Sequence, residues 1–144
     1  MTKIFDVYQK VTKQASTVFL RDSIQSVRKK MVKRGTVHRS IYVVDENYKL
    51  VGIITLKEIL KAIAVQKNIK TGKRFSKGKF LGYIKNESTA QDIMHPPISV
   101  RLSDSIENTL AVMIQNNMEE LPVVDEHQTL LGDVNAFEFI NEID

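Results

Sequence analysis

Cysteine and tryptophan are absent from the 144 residues, and proline occurs only at Pro96, Pro97 and Pro122. Without cysteine there is no disulfide, no thiol nucleophile and no thiolate-held zinc. Histidine is nearly as scarce: His38, His95 and His127 stand in unrelated stretches with no His-x-x-x-His or comparable spacing, which argues against a metal site and reads as solvated loop residues. Pro96-Pro97 after His95 stiffens the chain there. No glycine-rich phosphate loop, Gly-x-Ser-x-Gly elbow or paired-carboxylate motif occurs, so the expectation is a protein that is not an enzyme. No apolar run reaches membrane-spanning length, and Met1-Thr2-Lys3-Ile4-Phe5-Asp6 lacks the apolar core of a signal peptide; both absences predict a cytoplasmic protein without membrane insertion.

What the chain does have is a repeat. Ile41-Tyr42-Val43-Val44-Asp45-Glu46 with Leu50-Val51-Gly52 returns eighty residues later as Leu121-Pro122-Val123-Val124-Asp125-Glu126 with Leu130-Leu131-Gly132. The correspondence extends upstream, where Asp22-Ser23-Ile24 and Met31-Val32 match Asp104-Ser105-Ile106 and Met113-Ile114, and downstream, where Thr55 to Leu60 match Asn135 to Ile140. The first copy carries its additional residues around Thr36 to Arg39, where a loop absorbs them. A unit of about 60 residues is marginal alone, so two copies stacking on each other is the expected architecture.

Each copy opens with a β-branched strand, Thr17 to Leu20 or Ile98 to Leu102. Asp22-x-x-Gln25 and Asp104-x-x-Glu107 have capping-box spacing and start a helix whose core face is Ile24, Val27 and Met31, or Ile106, Leu110, Met113 and Ile114. A hairpin follows, Ser40 to Asp45 with Leu50 to Thr55 around Glu46-Asn47-Tyr48-Lys49, and Leu121 to Asp125 with Leu130 to Asn135. A second helix begins after Thr55, along Leu56, Ile59, Leu60 and Ile63, and its counterpart after Asn135. A lead-in containing Asp6-Val7-Tyr8 or Asp92-Ile93-Met94 precedes each copy. The fold class is α+β, and the predicted divisions are 1–65 for the first repeat with its lead-in helix, 66–86 for a basic linker and 87–144 for the second repeat.

The order of elements, the strand Leu121-Pro122-Val123-Val124-Asp125 and the glycine-turn-helix stretch after it resemble a tandem CBS (cystathionine-β-synthase) domain pair, or Bateman module, here stand-alone. The resemblance implies two βαββα repeats packed sheet to sheet about a pseudo-twofold axis, with clefts for AMP, ADP, ATP or S-adenosylmethionine. It implies no catalysis. Ligand occupancy would regulate a partner protein, unidentified here, and such modules dimerise through helices.

The family's ligand signature, Gly-h-h-Thr/Ser-x-x-Asp, falls on Gly52 to Glu58 and on Gly132 to Glu138. Glutamate replaces aspartate in both, and Asn135 replaces the hydroxyl residue in the second. The resemblance makes Thr55, Glu58, Asn135 and Glu138 ligand residues, together with Thr17, Val18, His38, Arg39, Ile41, Ile98 and Leu121. A second reading stands beside it: Thr55-x-x-Glu58 and Asn135-x-x-Glu138 are also capping boxes, with the glutamate folding back on the cap amide. His38, Arg39 and Ser40 would attract a phosphate to the first repeat, whereas Glu119, Glu120 and Asp133 would repel one from the second.

Charge is distributed unevenly. Residues 1–85 carry a net +15 and residues 86–144 a net −11. That favours packing the repeats on each other, and head-to-tail pairing in a homodimer. Lys67 to Lys79 holds six cations and no acid, followed by Phe80-Leu81-Gly82-Tyr83-Ile84. Three readings of this insert are open: a ligand-free interaction surface that binds nucleic acid or an anionic membrane surface, a solvated loop whose aromatics tuck onto the repeats, or a loop that docks on the acidic half of a neighbouring chain.

Overall fold

The structure is a computed structural model that describes residues 2–8, 15–33, 39–72, 74–75, 83 and 88–140. A helical turn α1 (Ile4–Val7) leads into β1 (Thr17–Phe19), α2 (Ile24–Lys33), β2 (Ser40–Val44), β3 (Leu50–Thr55) and α3 (Leu56–Gln66). A second turn, α4 (Ala90–Ile93), leads into β4 (Val100–Arg101), α5 (Ile106–Asn116), β5 (Glu120–Val124) and β6 (Leu130–Asn135). The expected last helix is a 3₁₀ turn, Ala136–Glu138, within the described residues. The opening strands are also shorter than their β-branched runs.

In each sheet the middle strand pairs parallel with the opening strand and antiparallel with its hairpin partner, in the order β1-β2-β3 and β4-β5-β6. The parallel pairing follows from the helical crossover between those strands. Both sheets carry a register shift at the same place, Val43/Val44 and Val123/Val124.

All five residues of β2 and of β5 are buried, because each strand is central and covered on both faces. Alternation divides β2 between two cores. Ile41 and Val43 pack with Val27, Met31, Ile59 and Ala62 of the first repeat. Tyr42 and Val44, with Leu50 and Ile53, join a cluster built mostly from the second, including Leu121, Val123, Leu130 and Val134. The sheets therefore meet face to face, as the family resemblance implies. The hairpin tips also pair: the Leu50 amide donates to the Gln128 carbonyl at 3.0 Å and the Leu130 amide to the Tyr48 carbonyl at 3.1 Å.

The lead-ins cross over. The amides of Ile4 and Phe5 donate to the carbonyls of Asp104 and Leu102, in the second repeat, while those of Ala90 and Gln91 donate to Asp22 and Leu20, in the first. Ile4 and Val7 sit in the second repeat's core and Ala90 and Ile93 in the first's.

The helix caps differ from the sequence reading by one residue. Ser23 Oγ accepts from the Ser26 amide and Ser105 Oγ from the Asn108 amide, both at 3.1 Å. Asp22 and Asp104 instead close the preceding turns, accepting from the amides of Phe19 and Arg101 at 2.9 Å. A carboxylate three residues after the strand amide closes an Asx-type loop and leaves the hydroxyl to start the helix.

Candidate functional site

Between the repeats lies a cleft whose walls belong to different copies. Arg39, Ser40, Thr55, Leu56, Lys57 and Leu60 come from the first, Asn117, Met118 and Glu119 from the second. Register places Ser40 opposite Thr55 across β2 and β3, and the Leu56 amide donates to the Arg39 carbonyl at 3.0 Å. The start of β2 and the first turn of α3 are thus held side by side. Leu56 and Leu60 leave 38% and 58% of their surface exposed, an apolar strip beside the cations Arg39 and Lys57. The N-terminal turn of α3 adds its partial positive charge at the same end.

Behind this cleft, Glu120 crosses from β5 to the other repeat. Its Oε1 accepts from the Arg39 amide at 2.9 Å and the Ser40 amide at 2.6 Å, and its Oε2 from Asn135 Nδ2 at 3.3 Å. The residue is 1% exposed. Burial pushes its carboxyl from an ordinary 4.5 up to about 7; Asp133 adds to the rise, while the two amides and Asn135 oppose it. Tyr42 donates to Asp133 Oδ2 at 3.1 Å, and burial first, then the Asp133 and Glu120 charges, hold its phenol well above its ordinary value.

Glu58 faces away from the cleft. It accepts a hydrogen bond from the Thr55 hydroxyl and lies 3.5 Å from His95 Nε2. His95 is carried there by the second lead-in, whose His95 amide and carbonyl pair with Ile53 of β3 at 2.9 and 3.1 Å. Tyr83 is buried on the same side, its phenol pushed up to about 12 by burial and then by Glu58. Gly52 makes the crossing possible: a Cβ there would lie 2.2 Å from Met94 Sδ.

The CBS domain pattern matches residues 4–65 and 90–144. The chain belongs to the CBS domain family. Among solved structures, this CBS pair is similar to a CBS domain-containing protein from Thermotoga maritima, with 27% identity, a TM-score of 0.80, and coverage of 98% of this chain and 93% of that one. It is also similar to a CBS domain pair in complex with 5′-methylthioadenosine and S-adenosyl-L-methionine (25% identity, TM-score 0.72, 98% of each chain). A CBS domain protein from Pyrobaculum aerophilum complexed with AMP shares the fold, at 15% identity, a TM-score of 0.74, and 96% and 91% coverage. A curated relative, a homoserine O-acetyltransferase from Methanococcus vannielii, is 29% identical over 133 residues, 92% of this chain. The CBS pair spans about a quarter of that relative's length, 24%.

Of the ligand residues implied by resemblance, the CBS pair brings Arg39 and Thr55 to the cleft; His38 lies outside the described residues. Val18, Ile41 and Leu121 do not line it: at 1%, 0% and 0% exposure their side chains are core, where strand alternation puts them. Thr17 pairs with Tyr42 at the edge of the sheet, with its carbonyl accepting from Lys30 Nζ at 3.1 Å, and Ile98 packs against the second core. Asn135 and Glu138 form the capping box that was the other reading of the second copy: the Asn135 amide donates to Glu138 Oε1 at 2.7 Å and Asn135 Oδ1 accepts from the Phe137 amide. Around Thr55 no side-chain cap bond forms; the hydroxyl donates to Glu58 instead. The charge ranking of two separate clefts also changes, because Arg39 and Ser40 meet Glu120 at one place, across the pseudo-twofold axis. His95, read as a solvated loop residue, keeps only 20% of its side chain exposed and faces Glu58. Lys57, Leu56, Leu60 and Met118 were missed; the i, i+4 spacing of Leu56 and Leu60 on a helix with a separate buried face was the available signal.

The insert is partly described. Phe75 meets Tyr83 edge-on, with ring centroids 5.6 Å apart, and Lys61 Nζ lies 5.9 Å from the Phe75 ring centre. Both rings pack on the first repeat; Lys73, Lys77, Lys79 and Phe80 lie outside the described residues. Among the described residues no group of three or more histidines and acids could hold a metal, and no helix is long and apolar enough to cross a membrane.

Proposed function

We propose that this CBS pair is a regulatory sensor that takes an adenosine-containing ligand, AMP, ADP, ATP or S-adenosylmethionine, in the cleft between Thr55-Leu56-Lys57 and Asn117-Met118-Glu119, and so modulates a partner protein. The observation that carries the reading is that the cleft walls come from different repeats. A ligand touching both walls stabilises one relative placement of the repeats over others, which makes occupancy readable from outside. Leu56, Leu60 and Met118 supply an apolar bed for a purine, and Arg39 and Lys57 supply cations for a phosphate or carboxylate. The adenosyl complexes of similar CBS proteins support the ligand class. The reading assigns no catalysis to these residues.

The charge asymmetry supports a homodimer assembled head to tail; the proposed units are 1–65, 66–86 and 87–144, and the proposed location is the cytoplasm. Nucleic-acid binding through 67–79 is the weaker alternative, because the two rings described in and after the insert, Phe75 and Tyr83, pack against the first repeat's core.

A thermal-shift panel of AMP, ADP, ATP and S-adenosylmethionine tests the proposal. Ligand at a hundredfold its Kd adds about 2.7 kcal/mol, a rise of several degrees, and the double variant R39A/K57A weakens phosphate-bearing ligands about tenfold. No shift with any of the four would overturn it; binding of oligonucleotides that falls steeply with salt would favour the alternative.

A further inference from the structure

Resting on the adenosyl reading above, we infer that Glu120 determines which ligands the cleft takes. Its carboxylate, seated on the amides of Arg39 and Ser40, is an internal competitor of a ligand's phosphate and biases the cleft toward adenosyl ligands that bring no negative charge to that end.

Two adjacent main-chain amides converging on one oxygen, at 2.9 and 2.6 Å, form an anion seat. The seat is part of the first repeat's wall, since Arg39 and Ser40 line the cleft, yet the anion filling it comes from the second repeat. A phosphate approaching Arg39 therefore meets amides already committed, with a negative charge directly behind them. Arg39 and Lys57 attract that phosphate while Glu119, on the opposite wall, adds to the repulsion. The sister position in the first repeat is Ser40, so the acid is no requirement of the fold.

The seat is also responsive to pH. Groups facing Glu120 are Asp133 and Asn135 on β6 and Tyr42 on β2, and Glu138 adds its field at Tyr42. With a carboxyl raised to about 7, the internal anion is present at pH 8 and largely neutralised at pH 6. Selectivity for phosphate should rise on acidification.

The test is the ratio of AMP to adenosine affinity, by calorimetry at pH 8 and pH 6, for the full chain and for E120Q and D133N. Glutamine keeps an oxygen for the two amides and drops the charge; D133N leaves the Glu120 bonds in place and removes the neighbour that favours its neutral form. In E120Q the ratio at pH 8 is expected to rise about tenfold, a typical effect of a unit charge beside a partly wet cleft. D133N should move the pH at which the ratio changes downward, by favouring the carboxylate. Comparing variants cancels the titration of the AMP phosphate itself. A ligand-free readout accompanies it: the amide resonances of Arg39 and Ser40 titrate with a midpoint near 7 in the parent and not in E120Q. Unchanged ratios in E120Q at pH 8, with both ligands bound, would overturn the inference and leave the adenosyl reading standing. Binding of neither ligand by any variant would sink both.

Discussion

Replacing Gly52 with alanine isolates the contact that brings the second lead-in across the first sheet. Gly52 does not have a positive φ, so alanine suits its backbone, and on conformational entropy alone G52A should stabilise by about 0.4–1 kcal/mol. The neighbour reverses that sign. The new Cβ would fall 2.2, 2.8 and 3.0 Å from Met94 Sδ, Cγ and Cβ. The thioether can swing, but Met94 Cβ is held by the hydrogen bond its amide donates to the Ala90 carbonyl at 3.0 Å and by the adjoining His95–Ile53 pair. Overpacking of this kind costs about 1–3 kcal/mol, or roughly 3–10 °C in Tm for a domain of this size. In an M94A background the contacts with Sδ and Cγ are gone and only the 3.0 Å approach of the two Cβ atoms remains, so G52A should cost clearly less there than with Met94 present. Urea denaturation of the four members of the cycle gives the coupling directly. A coupling below about 0.5 kcal/mol, or a G52A that stabilises with Met94 present, would refute the packing argument.

Glu120 also makes a stability prediction. Its carboxyl titrates at about 7 in the fold against 4.5 unfolded, so the folded state binds more protons between those values. Stability is expected to fall as pH rises from about 5 to 8, by on the order of 2–3 kcal/mol, and a flat profile there would contradict it; E120Q should remove the slope. S105A, which deletes a cap bond, should cost about 1 kcal/mol, read by thermal melting. I4A, a fully buried side chain, should cost about 2–5 kcal/mol, and hydrogen exchange should show protection lost in both repeats, in α2 as well as α5, because the cluster that holds Ile4 also contains Tyr42, Val44, Leu50 and Ile53.

The order of elements and the two hairpins were legible because they rest on period-two and helical alternation within a copy, doubled by the repeat, while the sheet-to-sheet packing came from the family resemblance. The caps slipped by one because Asp-Ser offers two competent capping residues in succession, and only the strand amide three residues back decides between them. Of the residues that line the candidate cleft, Thr55 was named from the motif and Arg39 from the family resemblance. Glu58 was named from the same motif, but its pairing with His95 was not, since His95 arrives from 37 positions away and looked like a loop residue. Glu120 read as a residue repelling phosphate from its own repeat; its reach to amides 80 and 81 positions earlier has no local signature.

The exchanged lead-ins have a consequence for how the chain folds and is inherited. Each repeat closes its core with a helical turn belonging to the other, so a chain cut at the boundary between copies leaves two halves each missing its lid and carrying the wrong one. The pair should therefore unfold in a single cooperative step, and a duplication of this kind is kept or lost whole. A disturbance at one cleft has no independent half in which to remain local.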